Sequence, residues 1–278
     1  MENVVRPIIV PWDFTPVAEN AFVHAVRYAK AKNREILLLH IVSESKDAEE
    51  KEKQMAEACD KLAKEYGQKP NFVVQTGSIF VAIGEVATER KAEMIIMGTH
   101  GLKGAQKLFG SKALKVVVSS KIPFLVVQDK PKKDKIESIL LPIDFKSENK
   151  EKANWIYHMA RSFDTKFTII KGKAKDKGFR RKLISNMKYI ESYLKTHNVE
   201  YEIVTAEGKA SFKEEVVNYA KDNNFDVIMI MATRNIKFTD YLFGAPEQFI
   251  MSNEFNIPVM CVNPRKVKVS SGFRASGG

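Results

Sequence analysis

The sequence has few cysteines and no long hydrophobic run. Its 278 residues include two cysteines, Cys59 and Cys261, and neither belongs to a C-x-x-C pair or has a histidine at metal-ligand spacing. This argues against a disulfide framework and against a bound metal. The apolar runs are far shorter than the roughly 20 residues of a membrane helix, and the amino-terminal residues show no charged-then-apolar signal pattern. We therefore expect a cytoplasmic protein.

Several nucleotide-enzyme and hydrolase signatures are also missing. The chain contains no G-x-x-x-x-G-K-[ST] loop, no G-x-G-x-x-G after its first predicted strand and no G-x-S-x-G elbow. P-loop ATPases, dinucleotide oxidoreductases and α/β-hydrolases therefore lose their main support. No general base with an orienting partner can be named either. We expect a binding protein rather than an enzyme, and leave only slow nucleotide hydrolysis open.

The net charge of +11 does not by itself indicate nucleic acid. Lysines alternate with acids in stretches such as residues 46–53, a pattern typical of a solvated helix face. The densest basic runs are at 130–135 and 265–268, in a predicted linker and a predicted tail. No helix-turn-helix, RNP-like or zinc-finger signature accompanies the charge, so we expect no nucleic-acid partner.

The chain repeats itself. Four landmarks recur at offsets of 131 to 135 residues. They are PWDF at 11–14 and PIDF at 142–145, MIIMGT at 94–99 and VIMIMAT at 227–233, LFG at 108–110 and again at 242–244, and IP at 122–123 and again at 257–258. So constant an offset indicates a tandem duplication.

Within the first copy, short β-branched runs alternate with helical periodicity. The pattern predicts strands at 7–11, 35–42, 71–76, 94–98 and 124–128, and helices at 17–32, 48–66, 79–91 and 111–120. Several strands are apolar throughout, as in a parallel sheet covered on both faces. We predict an α/β fold with two tandem, doubly wound, five-stranded parallel-sheet domains. The predicted boundaries are 1–130, a linker at 131–137, a second domain at 138–264 and a tail at 265–278.

The residues that end strands carry the chemistry, because ligands of open parallel sheets bind beyond the carboxyl ends of the strands. Asp13 follows the first strand and can accept hydrogen bonds from a ribose hydroxyl or an adenine amino group. After the fourth strand, Gly98 and Gly101 open a glycine-rich loop that ends at Gly110, where Ser111 begins a helix. Glycines allow close approach of backbone N–H groups to an anion, and a helix N-terminus favours one. The pattern predicts a phosphate cradle.

Taken together, these motifs resemble the universal stress protein family. They are VPWDF at 10–14, MGTHG at 97–101, GS at 110–111 and IPFLVV at 122–127. The resemblance covers the first half fully and the second half in outline, so the chain is similar to tandem-domain members with the adenine nucleotide alpha hydrolase-like fold. The loop from 102 to 109 has eight residues where the family usually has nine.

The resemblance implies a stress-response or signalling module that binds ATP or another adenine nucleotide, with or without Mg. The nucleotide-binding residues that it implies are Pro11, Asp13, Val42, Gly98, His100, Gly101, Gly110 and Ser111. It also implies an unidentified protein partner and pairing through the last strand of each domain, either as an intramolecular pseudo-dimer or in a homodimer.

Structural interpretations compete with each of these roles. Asp13 can simply cap the helix that follows it, His100 can be an ordinary loop residue, and the glycine loop can serve packing alone. The whole chain can also be a partner-binding tandem module that does not bind nucleotide.

The second copy lacks much of the predicted cradle. At the positions of Gly98, Gly101 and Ser111 it has an alanine, an asparagine and an alanine, the last followed by Pro246. Arg234 leaves room for a different anionic ligand. We expect one adenine nucleotide per chain, in the first half, with the second half as its packing partner.

Overall fold

The computed structural model describes residues 6–99, 122–146, 149–150, 152–161, 163–231 and 246–262. In the first half, strands and helices alternate as predicted. In chain order they are β1 (Ile8–Pro11), α1 (Pro16–Lys32), β2 (Ile36–Val42), α2 (Ala48–Tyr66), β3 (Asn71–Thr76), α3 (Ile79–Glu89), β4 (Met94–Gly98) and β5 (Phe124–Val127). Helix α3 ends two residues before the predicted end, because Lys91 has a left-handed φ of 49°. The helix predicted at 111–120 lies outside the described residues.

The second half repeats this order. Its elements are β6 (Ser138–Ile143), α4 (Lys152–Ala160), β7 (Lys166–Lys171), α5 (Lys177–Thr196), β8 (Tyr201–Thr205), α6 (Phe212–Asp222), β9 (Val227–Met231), α7 (Pro246–Met251) and β10 (Val259–Val262). Within the described ranges, no helix has both the length and the apolar character needed to cross a bilayer.

All ten strands form one sheet in the order β3-β2-β1-β4-β5-β10-β9-β6-β7-β8. Each half is doubly wound, because the chain builds outward from β1 or β6 in one direction and then crosses to the other side. The pairs within each half are parallel, whereas β5 and β10 pair antiparallel, with Leu125 opposite Met260. The prediction that the two last strands join the halves is confirmed.

Helices cover both faces of this sheet, which explains the continuously apolar strands. Neighbouring residues of β1 point to opposite faces, and Ile8 and Ile9 belong to different buried clusters. Each cluster contains residues from both halves. The two halves therefore share one apolar layer above the sheet and one below it.

Residues 129–137, between β5 and β6, have no helix or strand but are held in place. His24 Nε2 donates to the carbonyl oxygen of Asp129 at 3.0 Å, and Arg27 Nη1 donates to that of Lys133 at 2.9 Å. Ile136 is buried in the core, and the backbone N–H of Glu137 donates to Asp226. The connection between the halves is thus packed against α1. The exact domain boundaries stay a prediction.

Separate expression of residues 1–130 tests the strand pairing. We expect this half to dimerise through β5, since all four β5 residues are buried by the sheet and by α-helices, and removal of β10 exposes an apolar edge. Light scattering coupled to size exclusion measures the mass. A monomer that stays soluble at high concentration contradicts the expectation.

Candidate functional site

The crevice of the first half lies where the strand order reverses, between β1 and β4. These strands are neighbours, with Ile9 opposite Ile95, so their carboxyl ends open side by side. Asp13 follows β1, and Thr99 follows β4 and is buried. Ligands of doubly wound sheets bind at this position. The topology therefore brings Asp13 and the end of β4 to one edge of the sheet.

Asp13 is exposed, and one of its two carboxylate oxygens is held by hydrogen bonds. Its Oδ1 accepts hydrogen bonds from the backbone N–H of Thr15 at 3.1 Å and from the Thr15 hydroxyl at 2.5 Å. Thr15 is itself the N-cap of α1 and accepts from the N–H of Ala18. Asp13 therefore supports the capping residue and is not the cap. Among the described residues, its second oxygen, Oδ2, has no hydrogen-bond partner.

Near the predicted nucleotide-binding residues Pro11 and Val42, backbone carbonyl groups already accept hydrogen bonds. The carbonyl oxygen of Val42 accepts from the N–H of Gly77 at 3.0 Å, and that of Trp12 faces His40 Nδ1 at 2.7 Å. A carbonyl accepts only, so Nδ1 of His40 carries the proton and donates. The carbonyl group of Val42 thus already accepts one hydrogen bond and its side chain is buried, and its role in binding stays a prediction.

Phe14 and His40 also belong to this edge, although neither is among the predicted nucleotide-binding residues. Phe14 has a left-handed φ of 64° and is exposed, its ring 5.0 Å from that of His40 and with Lys51 Nζ 5.4 Å from its centroid. A bulky residue in this backbone conformation is unusual. The available signal was an aromatic residue directly after the strand-ending aspartate.

Gly98 has a packing role that its predicted role in nucleotide binding does not require. A Cβ atom at this position would lie 2.1 Å from the carbonyl oxygen of Val17. Only glycine lets the end of β4 approach the first turn of α1 this closely. The structure thus supports the packing alternative for Gly98, and the nucleotide role stays a prediction. The predicted residues His100, Gly101, Gly110 and Ser111 lie outside the described residues.

The second half repeats the aspartate turn and adds buried polar groups. Asp144 Oδ1 accepts from the N–H of Lys146 at 2.8 Å and from Asn149 Nδ2 at 2.5 Å. The carbonyl oxygen of Asp144 accepts from Asn186 Nδ2 at 2.9 Å. Both asparagine side chains are buried. This turn is more tightly fixed than the one around Asp13.

A cavity of about 440 Å³ opens at this second switch point, between β6 and β9. The sequence predicts that the second half is a packing partner and does not indicate a cavity there. Its apolar wall includes Phe145, Leu183, Phe212, Ile230, Met231 and Ile250. Pockets of about 300 to 1,000 Å³ with few polar groups are typical of small-molecule sites. The alanines and asparagine that replace the cradle lie outside the described residues.

Two lysines and two acids meet beside this cavity. Lys146 Nζ lies 3.0 Å from Glu247 Oε1, and Lys152 Nζ donates to the carbonyl oxygen of Pro142. Burial lowers the pKa of Lys152 to about 8, and the negative charge of Asp144 opposes that shift. At neutral pH a measurable fraction of this side chain is therefore the free amine.

No group of three or more His, Cys, Asp or Glu side chains with metal-binding geometry occurs in the described part of the chain.

Comparison with known proteins identifies relatives of this fold and sequence. The model of the Universal stress protein family matches residues 5–128. Universal stress protein MJ0531 of Methanocaldococcus jannaschii is 30% identical over 149 residues, which cover 48% of this chain and 87% of that protein. Universal stress protein MJ0577 of the same organism is 26% identical over 160 residues, covering 47% of this chain and 99% of that protein.

A solved structure extends the similarity to both halves. The crystal structure of a universal stress protein from Archaeoglobus fulgidus superposes with a TM-score of 0.72 and 16% identity. The match covers 94% of this chain and 97% of that one. At this identity the likeness concerns the fold, and it includes the arrangement of the two halves.

Proposed function

The chain belongs to the universal stress protein family, and from this premise we propose that its first half binds an adenine nucleotide at the edge between β1 and β4. The ligand would sit beyond the carboxyl ends of these strands. Asp13 would hold the nucleoside, and the predicted loop residues Gly101, Gly110 and Ser111 would hold phosphate.

The proposal rests on the hydrogen bonds of the Asp13 carboxylate. One oxygen is fixed by Thr15, which sets the direction of the side chain, and the other oxygen has no partner among the described residues. A fixed acceptor with a spare oxygen suits the hydroxyl groups of ribose or the amino group of adenine, which are donors. The exposed Phe14 ring beside it adds an aromatic surface.

The proposed role is binding rather than catalysis. No described residue at this edge combines a general base with an orienting carboxylate, because His40 donates its Nδ1 proton to a backbone carbonyl. A bound nucleotide would act by favouring one conformation or assembly state of a stress-response module over another. A protein partner would then bind the conformation or assembly state that the nucleotide favours.

Asp13→Asn tests the site with little change in the fold. The asparagine Oδ1 can still accept both hydrogen bonds from Thr15, whereas Nδ2 replaces the spare acceptor with a donor. We expect ATP affinity, measured by calorimetry, to fall about tenfold, since one hydrogen bond to a charged group is worth about 1.5 kcal/mol or more. The melting temperature should change little.

Asp144→Asn is the matched control, because Asp144 makes the same turn in the second half. It should leave ATP affinity unchanged. Equal affinities for the wild type and both variants would place the nucleotide elsewhere. No ATP binding by the wild type, with no adenine nucleotide co-purifying, favours the alternative of a tandem module that binds only a protein partner.

A further inference from the structure

Lys152 occupies a position where the first half has a buried alanine. The repeat offset of 131 residues that relates Asp13 to Asp144 also relates Ala21 to Lys152. Ala21 is completely buried in the core under α1, and Lys152 is 2% exposed at the start of α4. A lysine is almost never this buried unless its amine is paired or used. The second half has therefore placed an amine inside the fold where the first half has a methyl group.

Lys152 lines the cavity, and its amine retains hydrogen-bonding capacity. Among the described residues, Lys152 Nζ donates one hydrogen bond, to the carbonyl oxygen of Pro142, out of the two or three that it can make. Other polar side chains around the cavity are engaged with the protein. Lys173 Nζ donates to the carbonyl oxygen of Glu207, and the Ser211 hydroxyl donates to Glu214. Of these donors, Lys152 therefore has hydrogen-bonding capacity left for a ligand.

The charges around the amine favour a neutral ligand. The groups that act on Lys152 are Asp144, Lys146, Glu247 and Cys261. Burial raises the pKa of the Cys261 thiol to about 12, so the thiol is neutral. Among the groups that act on the amine, Lys146 and Lys152 balance Asp144 and Glu247. Of the two other lysines that line the cavity, Lys173 donates to a backbone carbonyl and Lys213 lies over the Phe249 ring. An anion held by this amine would lie beside two carboxylates in a largely apolar surrounding, at a high desolvation cost. A neutral molecule avoids this cost.

We propose that this cavity is a second small-molecule site, distinct from the nucleotide site, and that it takes a neutral, mainly apolar aldehyde or ketone whose carbonyl oxygen accepts a hydrogen bond from Lys152. The apolar body packs between Phe145, Leu183 and Phe212. An aldehyde held in this way can also react. The amine nitrogen bonds to the carbonyl carbon, the carbonyl oxygen leaves as water, and an imine forms.

Reductive labelling of the full chain tests the site. With benzaldehyde and cyanoborohydride at pH 7.5, peptide mass spectrometry measures the benzylation rate of each lysine. At this pH a lysine with a pKa of about 8 is the free amine about two hundred times more often than an ordinary surface lysine. We expect Lys152 to react at least tenfold faster than the exposed Lys53 and Lys69, and unfolding in urea to remove the difference.

A competition experiment tests the site in the wild-type protein, without any substitution. Acetophenone, a ketone of similar size, should protect Lys152 and leave Lys53 unprotected, whereas benzoate should protect it at least tenfold less effectively. Equal labelling of all lysines, or labelling of Lys152 that acetophenone does not reduce, overturns the proposal. Better protection by benzoate or ATP also overturns it, because the ligand would then be an anion. Asp13→Asn should leave the labelling of Lys152 unchanged, which separates this site from the proposed nucleotide site.

Discussion

Gly98→Ala is expected to lower the free energy of unfolding by about 3 kcal/mol. The added Cβ would lie 2.1 Å from the carbonyl oxygen and 2.4 Å from the carbonyl carbon of Val17. Both are backbone atoms, so no side chain can rotate away, and either β4 or the first turn of α1 must move. The movement would separate the elements that flank the first switch point. Urea denaturation measures the loss.

Gly84→Ala is the matched control for this substitution. Gly84 lies inside α3, and a Cβ there would have no atom within 4 Å. Alanine is the better helix former, so this variant should be more stable than the wild type by about 0.5 to 1 kcal/mol. If Gly98→Ala is as stable as Gly84→Ala, then β4 does not pack on α1 as described.

Acidification is expected to destabilise the protein through His24. Burial, reinforced by the positive charge of Arg27, lowers the pKa of His24 to about 3, while its hydrogen bond to Asp129 opposes the shift. The ordinary value is 6.5. Below this pH the unfolded chain binds a proton that the folded chain does not bind. The stabilisation of the fold by neutral His24 is thus complete above pH 6.5. Below that pH, the free energy of unfolding falls by about 1.4 kcal/mol per pH unit towards pH 3.

His24→Gln isolates this effect. The glutamine Nε2 can still donate to the carbonyl oxygen of Asp129, but the side chain does not titrate. Urea denaturation at pH 7, 6 and 5 should show a weaker dependence on pH in the variant, by about 1.4 kcal/mol between pH 6 and pH 5. Glu93, whose pKa is lowered to about 2, loses its contribution at lower pH, below about 4.5. Parallel curves for both proteins in this range would show that His24 already binds a proton in the fold.

Much of the first half could be predicted because its signals are local. The bounds of α2, β3 and β4 follow from composition and periodicity within each segment and agree with the structure. The join between β5 and β10 was expected from family resemblance. Asp13 was selected because it ends a strand, and the structure places it at the switch point beside Thr15.

The features that could not be predicted depend on atoms distant in sequence. The reason for a glycine at position 98 is the backbone of Val17, about eighty residues earlier. Lys152 appears from its sequence neighbours to be one more surface lysine, but in the folded chain it is buried and donates to the carbonyl oxygen of Pro142 in β6. The cavity beside it is lined by residues from six helices and strands and from three loops, which meet only in the folded chain.

The antiparallel join between β5 and β10 has a consequence for what each half can become. In a dimer of identical chains, a two-fold axis passes between the joining strands, and every substitution appears on both sides of it. Here one chain supplies both sides, so Phe124–Val127 faces Val259–Val262 and the two strands need not match. A side chain that would destabilise a symmetric dimer at two equivalent positions, such as a lysine in the core, is present here at one position only. The join therefore preserves the architecture of a symmetric pair without requiring the two halves to have the same sequence, so a substitution in one half need not be accommodated in the other.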